Sequence, residues 1–320
     1  MSVPASRHLV DPELLGLLEL WPTLELSEDI LPAVRATRRA PFAVPDALPA
    51  VAMSARTIPG PEGAPDVGVL VYRPEGFDGQ LGCILHIHGG GYVLGDAASL
   101  EPVHKIMCAD LGCMLVSVDY RLAPETRFPG AIEDCYAALA WLFANAEDLG
   151  VDPARIGVMG ESAGGGLAAA LALLARDRGQ YPLAFQHLIY PMIDDRTCVS
   201  ADPHAFVGEF IWTARNNAFG WRALLGVEPG SPGVSPYAAA ARAEDLTGLP
   251  PTFLSTGALD LFLEEDLDYA RRLARAGVPV ELHVYPGAYH GFDVAPGSEV
   301  SKASRRNRMA ALARALRARS

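Results

Sequence analysis

Apolar runs rich in β-branched residues alternate with helical patterns along the chain from about residue 65 to its end. Runs of this kind, bounded by turn-forming residues, are typical of strands in a buried sheet. The seven runs are DVGVLVYRP, GCILHIHGGG, CMLVSVDYRL, RIGVMGES, FQHLIYPM, TFLSTGALD and VELHVYP. Apolar residues at helical spacing predict helices over residues 102–111, 131–149, 165–178, 264–276 and 302–319. The alternation predicts an α/β fold with a mostly parallel central sheet flanked by helices on both faces.

Two segments do not follow this alternation. Residues 1 to about 48 have the pattern of amphipathic helices broken by prolines, and they precede the first predicted strand. Residues from about 198 to about 237 lie between two strands and are too long for an ordinary connection. We therefore expect a single domain over residues 1–320, in which these two segments form a helical cap over one edge of the sheet.

The composition excludes several classes of function. The chain has 320 residues and a formal charge of −12, which disfavours binding to nucleic acid. No apolar run approaches the ~18 residues that span a bilayer, and acidic residues interrupt the N-terminal segment, so we expect neither a transmembrane helix nor a signal peptide. The five cysteines are odd in number and form no CxxC motif, which favours free thiols and a cytoplasmic location.

The sharpest chemical motif is Gly160-Glu161-Ser162-Ala163-Gly164, which has the form G-x-S-x-G. A predicted strand runs directly into it, and a helix of small residues follows. This context is that of a nucleophile elbow, a tight strand-to-helix turn that projects its central side chain. We therefore predict that Ser162 is a nucleophile; the alternative is a glycine-rich turn without chemistry.

A serine nucleophile needs a base, and His290 is the favoured candidate. It follows the last predicted strand, where a loop side chain reaches the carboxyl edge of a parallel sheet. His187 and His283 lie within apolar strands and are expected to pack in or on the sheet. The histidines expected to be solvated are His8, His104 and His204.

The acid that orients the base should lie between the serine and the histidine, because hydrolases of this kind use the order Ser, Asp or Glu, His. Asp260 ends the strand run TFLSTGALD, 98 residues after Ser162 and 30 before His290. Glu264, in the first turn of the next helix, is the main rival, since a carboxylate there also interacts favourably with the helix dipole.

The run His88-Gly89-Gly90-Gly91 ends the second predicted strand. Consecutive glycines allow backbone N–H groups to turn toward a developing oxyanion. We predict that Gly90, Gly91 and the N–H of Ala163 are the donors, and that His88 holds the glycine loop. An alternative is that His86 and His88, on one face of a strand, bind a metal, but no HExxH or HxHxDH motif supplies further ligands, so we expect no metal.

The ordered motifs HGGGY, VDYRLAPETRFPGAIED, GESAGGG, Asp260 and YHGF span roughly residues 65–292. Together they resemble the bacterial hormone-sensitive-lipase-like (family IV) carboxylesterases of the α/β-hydrolase superfamily. The later part looks especially like the short-chain acyl esterases of that group, including the heroin-esterase type. The resemblance implies an α/β-hydrolase fold, a cap formed by the two irregular segments, and a triad of Ser162, Asp260 and His290.

The implied activity is hydrolysis of short-chain acyl esters through an acyl-enzyme, with no metal or organic cofactor. The expected partner is a small uncharged ester, and the chain is expected to be a monomer or a homodimer without stable membrane association. The open alternatives are an amidase or lactonase with the same triad, and a non-catalytic ligand-binding protein on the hydrolase fold.

Several further residues have expected supporting roles. Many members of the resembled family have Asp or Thr where this chain has Glu161, whose longer carboxylate is expected to join a network beside the nucleophile. Leu261 replaces the usual proline after the acid. The arginine-rich last helix is expected to pack on the sheet rather than on a membrane surface. The apolar residues of the predicted cap are expected to line a pocket in part, and most of them to pack in the core; they are Leu14, Leu17, Leu18, Leu20, Trp21, Phe206, Phe210, Trp212, Phe219 and Trp221.

Overall fold

Eight strands form one sheet in the computed structural model, which describes residues 5–37, 48–77, 79–295 and 297–317. Their spatial order is β1-β2-β4-β3-β5-β6-β7-β8. The first two strands run antiparallel to their neighbours, and the remaining six run parallel to one another. The strands are β1 (Val51–Ile58), β2 (Val67–Pro74), β3 (Leu81–Ile87), β4 (Met114–Asp119), β5 (Val151–Glu161), β6 (Gln186–Ile189), β7 (Thr252–Gly257) and β8 (Val280–Tyr285).

The seven predicted strands correspond to β2–β8, and the mostly parallel sheet is confirmed. The sequence pattern missed β1. This strand lies at the edge of the sheet and pairs only with β2. Only its end residues, Val51 and Ile58, are buried, whereas the six between them are exposed. Because so few side chains of this edge strand are buried, it can form without the run of apolar residues that marks the buried strands. Its sequence therefore does not predict a strand.

Helices cover both faces of the sheet, and all five predicted helices are present in the described residues. The predicted helix over residues 131–149 is interrupted at Asn145 into two pieces. The last predicted helix ends at Ala315, and residues 318–319 of that prediction lie outside the described ranges. The helices are α1 (Leu15–Leu20), α2 (Leu31–Thr37), α3 (Glu101–Leu111), α4 (Gly130–Ala144), α5 (Ala146–Leu149), α6 (Ala163–Arg178), α7 (Ala214–Leu225), α8 (Leu263–Arg275) and α9 (Glu299–Ala315).

Helix α6 crosses the centre of the sheet and is buried from Ala163 to Ala175. Its first turn carries three glycines because there is no room for side chains. A Cβ on Gly164 would lie 2.0 Å from the carbonyl oxygen of Ile87, and one on Gly166 would lie 2.0 Å from that of Met192. The glycine run therefore brings the start of α6 into direct contact with the ends of the neighbouring strands.

The two irregular segments contact each other. The backbone N–H of Leu26 donates to Oδ1 of Asn216 at 2.8 Å, and Nδ2 of Asn216 donates to the carbonyl oxygen of Leu24 at 2.7 Å. The N–H of Ile211 donates to Oγ1 of Thr23 at 3.0 Å. These bonds join the N-terminal segment to the segment around α7 in one layer. Residues 1–4 and 38–47 of the first segment lie outside the described residues.

Other features of the described residues bear on the sequence predictions. No helix among them has both the length and the apolar character needed to span a membrane. All five cysteines are free thiols, and four of them are buried. Leu312 of helix α9 and Leu316, which caps its end, pack on the sheet, and this confirms the packing expected for the last helix.

Candidate active site

Four adjacent strands, β5 to β8, end at the same edge of the sheet because they run parallel. Ser162 follows β5, Asp260 lies in the loop after β7, and His290 lies in the loop after β8. Residues up to 128 positions apart in the chain thus meet at the carboxyl edge, where ligands bind in open α/β sheets.

The backbone at Ser162 adopts a strained conformation, with φ of 56° and ψ of −123°. Such a φ is uncommon for a residue with a side chain. Hydrogen bonds hold it in place: the Ser162 N–H donates to the carbonyl oxygen of Ile189 at 2.9 Å, and its own carbonyl accepts from the N–H groups of Gly166 and Met192. A Cβ on Gly160 would lie 2.2 Å from the carbonyl oxygen of Gly164. The predicted sharp turn is present.

Ser162, His290 and Asp260 form a continuous hydrogen-bonded chain. Oγ of Ser162 lies 2.9 Å from Nε2 of His290, and Nδ1 of His290 lies 2.8 Å from Oδ2 of Asp260. All three side chains are buried. A carboxylate can only accept, so Nδ1 carries the proton and Nε2 is left to accept the serine hydroxyl proton.

The acid that contacts His290 is Asp260. Its second oxygen, Oδ1, accepts the backbone N–H of Phe262 at 3.0 Å, which fixes the carboxylate although Leu261 replaces the usual proline. The rival Glu264 is exposed at the first turn of α8. The distance between the carboxylate and the imidazole therefore distinguishes two residues that the sequence left as alternatives.

Aromatic rings surround His290. Tyr190 packs against it at 4.7 Å between ring centroids, and Phe262 packs nearly perpendicular to it at 5.2 Å and 89°. The ring of Trp212 lies 6.4 Å away. No motif in the sequence marks Tyr190 or Phe262 as a site residue. The available signal was position alone, since Tyr190 directly follows β6 and Phe262 follows Asp260 at the same sheet edge.

The glycine loop lies against the elbow. A Cβ on Gly89 would lie 2.8 Å from the carbonyl oxygen of Glu161 and 3.3 Å from Cβ of Ser162. Gly90 and Gly91 have φ of 124° and 60°, values that favour glycine. A Cβ on Gly91 would lie 2.1 Å from Cη2 of Trp212. The loop and the start of α6 thus present glycine backbone beside the serine, as the oxyanion-hole prediction requires.

His88 contacts the backbone of the glycine loop. Its Nδ1 donates to the carbonyl oxygen of Gly89 at 2.8 Å, and its ring stacks on Tyr120 at 4.2 Å. The Tyr120 hydroxyl donates to the His88 carbonyl oxygen at 2.9 Å. Burial lowers the pKa of His88 from 6.5 to about 4, so the ring is neutral at pH 7. These contacts agree with the expected supporting role.

Glu161 joins a network behind the elbow. Its Oε2 lies 2.8 Å from Nε2 of His86, whose Nδ1 lies 3.1 Å from Oγ of Ser117. His104 packs on His86 at 4.2 Å and is completely buried, so the expectation that His104 is solvated was wrong. The polar residues around it in the sequence face outward, whereas His104 faces Tyr72 and the sheet. No group of three or more potential ligands suited to a metal occurs in the described part of the chain.

The predicted cap residues divide by burial, and two of them reach the site. Trp212 covers Gly91, and the ring of Trp21 would lie 3.5 Å from a Cβ on Gly291, next to His290. The remaining members are core or surface. Buried ones are Leu14, Leu17, Phe210 and Trp221; partly exposed ones are Leu18 and Phe219; exposed ones are Leu20 and Phe206.

Comparisons with known proteins identify similar chains. The profile of a family described as alpha/beta hydrolase fold matches residues 84–294. Carboxylesterase NlhH of Mycobacterium tuberculosis is 37% identical over 288 residues, covering 90% of each chain. Ethyl acetate hydrolase of Pseudomonas putida is 33% identical over 229 residues, 70% of each chain. The solved structure of a bacterial heroin esterase superposes with a TM-score of 0.89 at 41% identity, covering 97% of this chain and 99% of the other.

Proposed function

The chain belongs to the α/β-hydrolase fold family, among its hormone-sensitive-lipase-like carboxylesterases, and we propose that it hydrolyses short-chain acyl esters with Ser162 as the nucleophile. Its named relatives are carboxylic ester hydrolases, and this chain is one as well. The observation that carries the proposal is the hydrogen-bonded chain from Asp260 through His290 to Ser162.

Acylation begins when Oγ of Ser162 attacks the ester carbonyl carbon. His290 takes the hydroxyl proton at Nε2, and Asp260 stabilises the imidazolium by accepting the Nδ1–H bond. His290 then gives the proton to the leaving alkoxide, and the alcohol departs. The remaining product is an acyl group bonded to Ser162.

The negative oxygen of the tetrahedral intermediate needs hydrogen-bond donors that are already in place. We assign this role to the backbone N–H groups of Gly90, Gly91 and Ala163. Ala163 is the first residue of α6, so its N–H has no partner within the helix and lies at the positive end of the helix dipole. Each such donor typically contributes about 10²–10³ in rate.

Deacylation repeats the same steps with water. His290 removes a proton from the water, which attacks the acyl-enzyme carbonyl, and the carboxylic acid product leaves Ser162. No step requires a metal or an organic cofactor. Hydrolytic activity should therefore be insensitive to a chelator.

The two irregular segments form the cap in this proposal, over residues 1–48 and 198–237. Their mutual hydrogen bonds and the positions of Trp21 and Trp212 beside His290 and Gly91 support this role. Bulky indole rings leave little room next to the reacting carbonyl, which favours small acyl groups. The five free thiols support a reducing, cytoplasmic location.

The experiment is hydrolysis of p-nitrophenyl butyrate by the wild type, Ser162→Ala and the control Ser54→Ala, whose serine is exposed on the edge strand β1, away from the strands β5–β8 that carry the triad. We expect Ser162→Ala to lose about 10⁴–10⁶ in kcat, and the control to match the wild type. Chelator should leave the wild type fully active. Activity that survives in Ser162→Ala, or that chelator abolishes, would show the proposed mechanism to be wrong.

A further inference from the structure

Tyr190 stands between the nucleophile and the acid. It follows β6, which lies between β5 and β7 in the sheet. Its backbone has a φ of 35°, which is rare for a bulky residue, and its N–H donates to the carbonyl oxygen of Ser255 at 2.6 Å. The preceding residue, Ile189, accepts the backbone N–H of Ser162. These two hydrogen bonds, one with Ser162 after β5 and one with Ser255 in β7, hold the strained backbone at Tyr190 in place. They place its ring at the sheet edge where Ser162, Asp260 and His290 meet.

The Tyr190 ring forms one wall around the imidazole of His290. The two rings meet in an edge contact, 4.7 Å apart at 64°, and Phe262 makes a second one at 5.2 Å. The imidazole nitrogens bond to Ser162 and Asp260, which fixes two atoms of the ring. The contacts with the rings of Tyr190 and Phe262 add to these two bonds in holding the plane of the imidazole.

The hydroxyl of Tyr190 is anchored in turn. It donates to Oδ1 of Asp293 at 2.7 Å, and Oδ2 of Asp293 accepts from Nη1 of Arg308 at 2.9 Å. Burial raises the pKa of the Tyr190 hydroxyl, so it stays protonated and acts as the donor. Asp293 lies only three residues after His290, so the anchor and the base share one loop.

Arg308 is unusual among the arginines of α9. Arg305, Arg306 and Arg314 are exposed, whereas Arg308 is buried and faces the catalytic edge. Burial by itself lowers the pKa of Arg308, but the neighbouring charges, Asp293 foremost, outweigh it and the pKa is raised. Removing two charges from water costs free energy that a pair of apolar side chains would not cost. A contribution to folding stability is therefore weak grounds for explaining why the Arg308–Asp293 ion pair is buried.

We propose that Tyr190 is a positioning residue for His290, and that Asp293 and Arg308 fix its hydroxyl so that the ring holds the imidazole in line between Ser162 and Asp260. The proposal rests on the function proposed above, in which His290 is the base. It extends the site by a buried chain of contacts from α9 to the imidazole.

The test is Tyr190→Phe, which keeps the ring and removes the anchor. Active sites are counted with diethyl p-nitrophenyl phosphate, so that misfolded protein does not enter the rate. We expect the rate of acylation by p-nitrophenyl butyrate per titrated serine to fall about tenfold, with KM within about twofold, because general-base transfer depends on alignment. The control is Tyr136→Phe on α4, which loses a 2.7 Å bond to Gln180 and should keep the wild-type rate.

A second variant and a spectroscopic readout make the result decisive. Asp293→Asn should slow acylation as well, and the double variant with Tyr190→Phe should be no slower than the worse single one, because both act through one chain. The proton NMR signal of Nδ1–H on His290 should broaden in Tyr190→Phe. A wild-type acylation rate per titrated serine and an unchanged signal would overturn this inference alone, whereas activity in Ser162→Ala would overturn the proposed function.

Discussion

The completely buried carboxylate of Asp260 lies 2.8 Å from Nδ1 of His290, whereas the side chain of Glu264, four residues further along the chain, is exposed. In the sequence these two acids were alternatives, because each lies between the serine and the histidine near a strand end. The direction of the loop after β7 separates them. Asp260 turns back toward the β8 loop, and α8 carries Glu264 away to solvent.

Asp260→Asn should lower kcat for p-nitrophenyl butyrate by about 10⁴, because an amide at this place favours the wrong imidazole tautomer. Glu264→Gln is the matched control, since it makes the same chemical change on the exposed rival, and it should retain the wild-type kcat. Steady-state kinetics on the two purified variants measure both values. A large loss in Glu264→Gln with little in Asp260→Asn would reverse the assignment.

Much of the fold could be predicted because buried parallel strands and amphipathic helices leave periodic signals. Strand β1 has no such signal, because six of its eight residues are exposed. Its extended conformation depends on pairing with β2 rather than on an apolar pattern of its own. The prediction for His104 was wrong for a different reason. Its polar neighbours in the chain suggested solvent, but one face of α3 turns His104 onto His86 in the sheet.

The residues of the candidate site also differ in whether the sequence could predict them. Ser162 and the glycine loop carry local signals, because their backbone conformations require particular residues. The contacts of Tyr190 with His290 and with Asp293 carry no such signal. They arise where the segment after β6 meets the loop after β8, and no spacing within either segment encodes that meeting.

Gly91→Ala should damage the proposed oxyanion hole. The added Cβ would lie 2.1 Å from the Trp212 ring, and the φ of 60° is unfavourable for alanine, so the backbone must shift. We expect kcat to fall by about 10²–10³, the effect of losing one donor. Gly297→Ala, with open space around its Cβ, should keep the wild-type kcat. Equal kcat in both variants would contradict a role for this loop.

Trp212→Ala should change the preference for acyl length. Removing the indole that covers Gly91 opens space beside the reacting carbonyl. We expect kcat/KM for p-nitrophenyl octanoate, relative to the acetate, to rise about tenfold or more, the effect of about one well-packed methylene. Phe206→Ala, in the same segment but exposed, is the control and should keep the wild-type ratio. An unchanged ratio in Trp212→Ala would mean that the acyl group lies elsewhere.

His88 should make stability depend on pH in mildly acidic solution. Burial lowers its pKa from 6.5 to about 4, so the unfolded chain takes up a proton where the folded protein does not. The contribution to stability is therefore complete above pH 6.5 and is lost as the pH falls toward about 4.

His88→Gln, which is neutral throughout, should be less stable than the wild type at pH 7, and this deficit should narrow by about 2 kcal/mol at pH 5. Urea unfolding at the two pH values measures it. His8→Gln, on the surface, should show no such pH-dependent difference. A constant deficit for His88→Gln would mean that folding does not shift the pKa of His88.

The central claim is that Ser162 is the nucleophile, activated by His290. The most direct measurement is mass spectrometry after reaction with diethyl p-nitrophenyl phosphate, comparing the wild type, Ser162→Ala and His290→Ala. We predict a single diethylphosphoryl adduct on the peptide containing Ser162, complete loss of esterase activity in step with its formation, no adduct in Ser162→Ala, and labelling slowed by at least about 10² in His290→Ala. An adduct on another residue that accompanies inactivation, or full labelling of Ser162 with activity retained, would contradict the account.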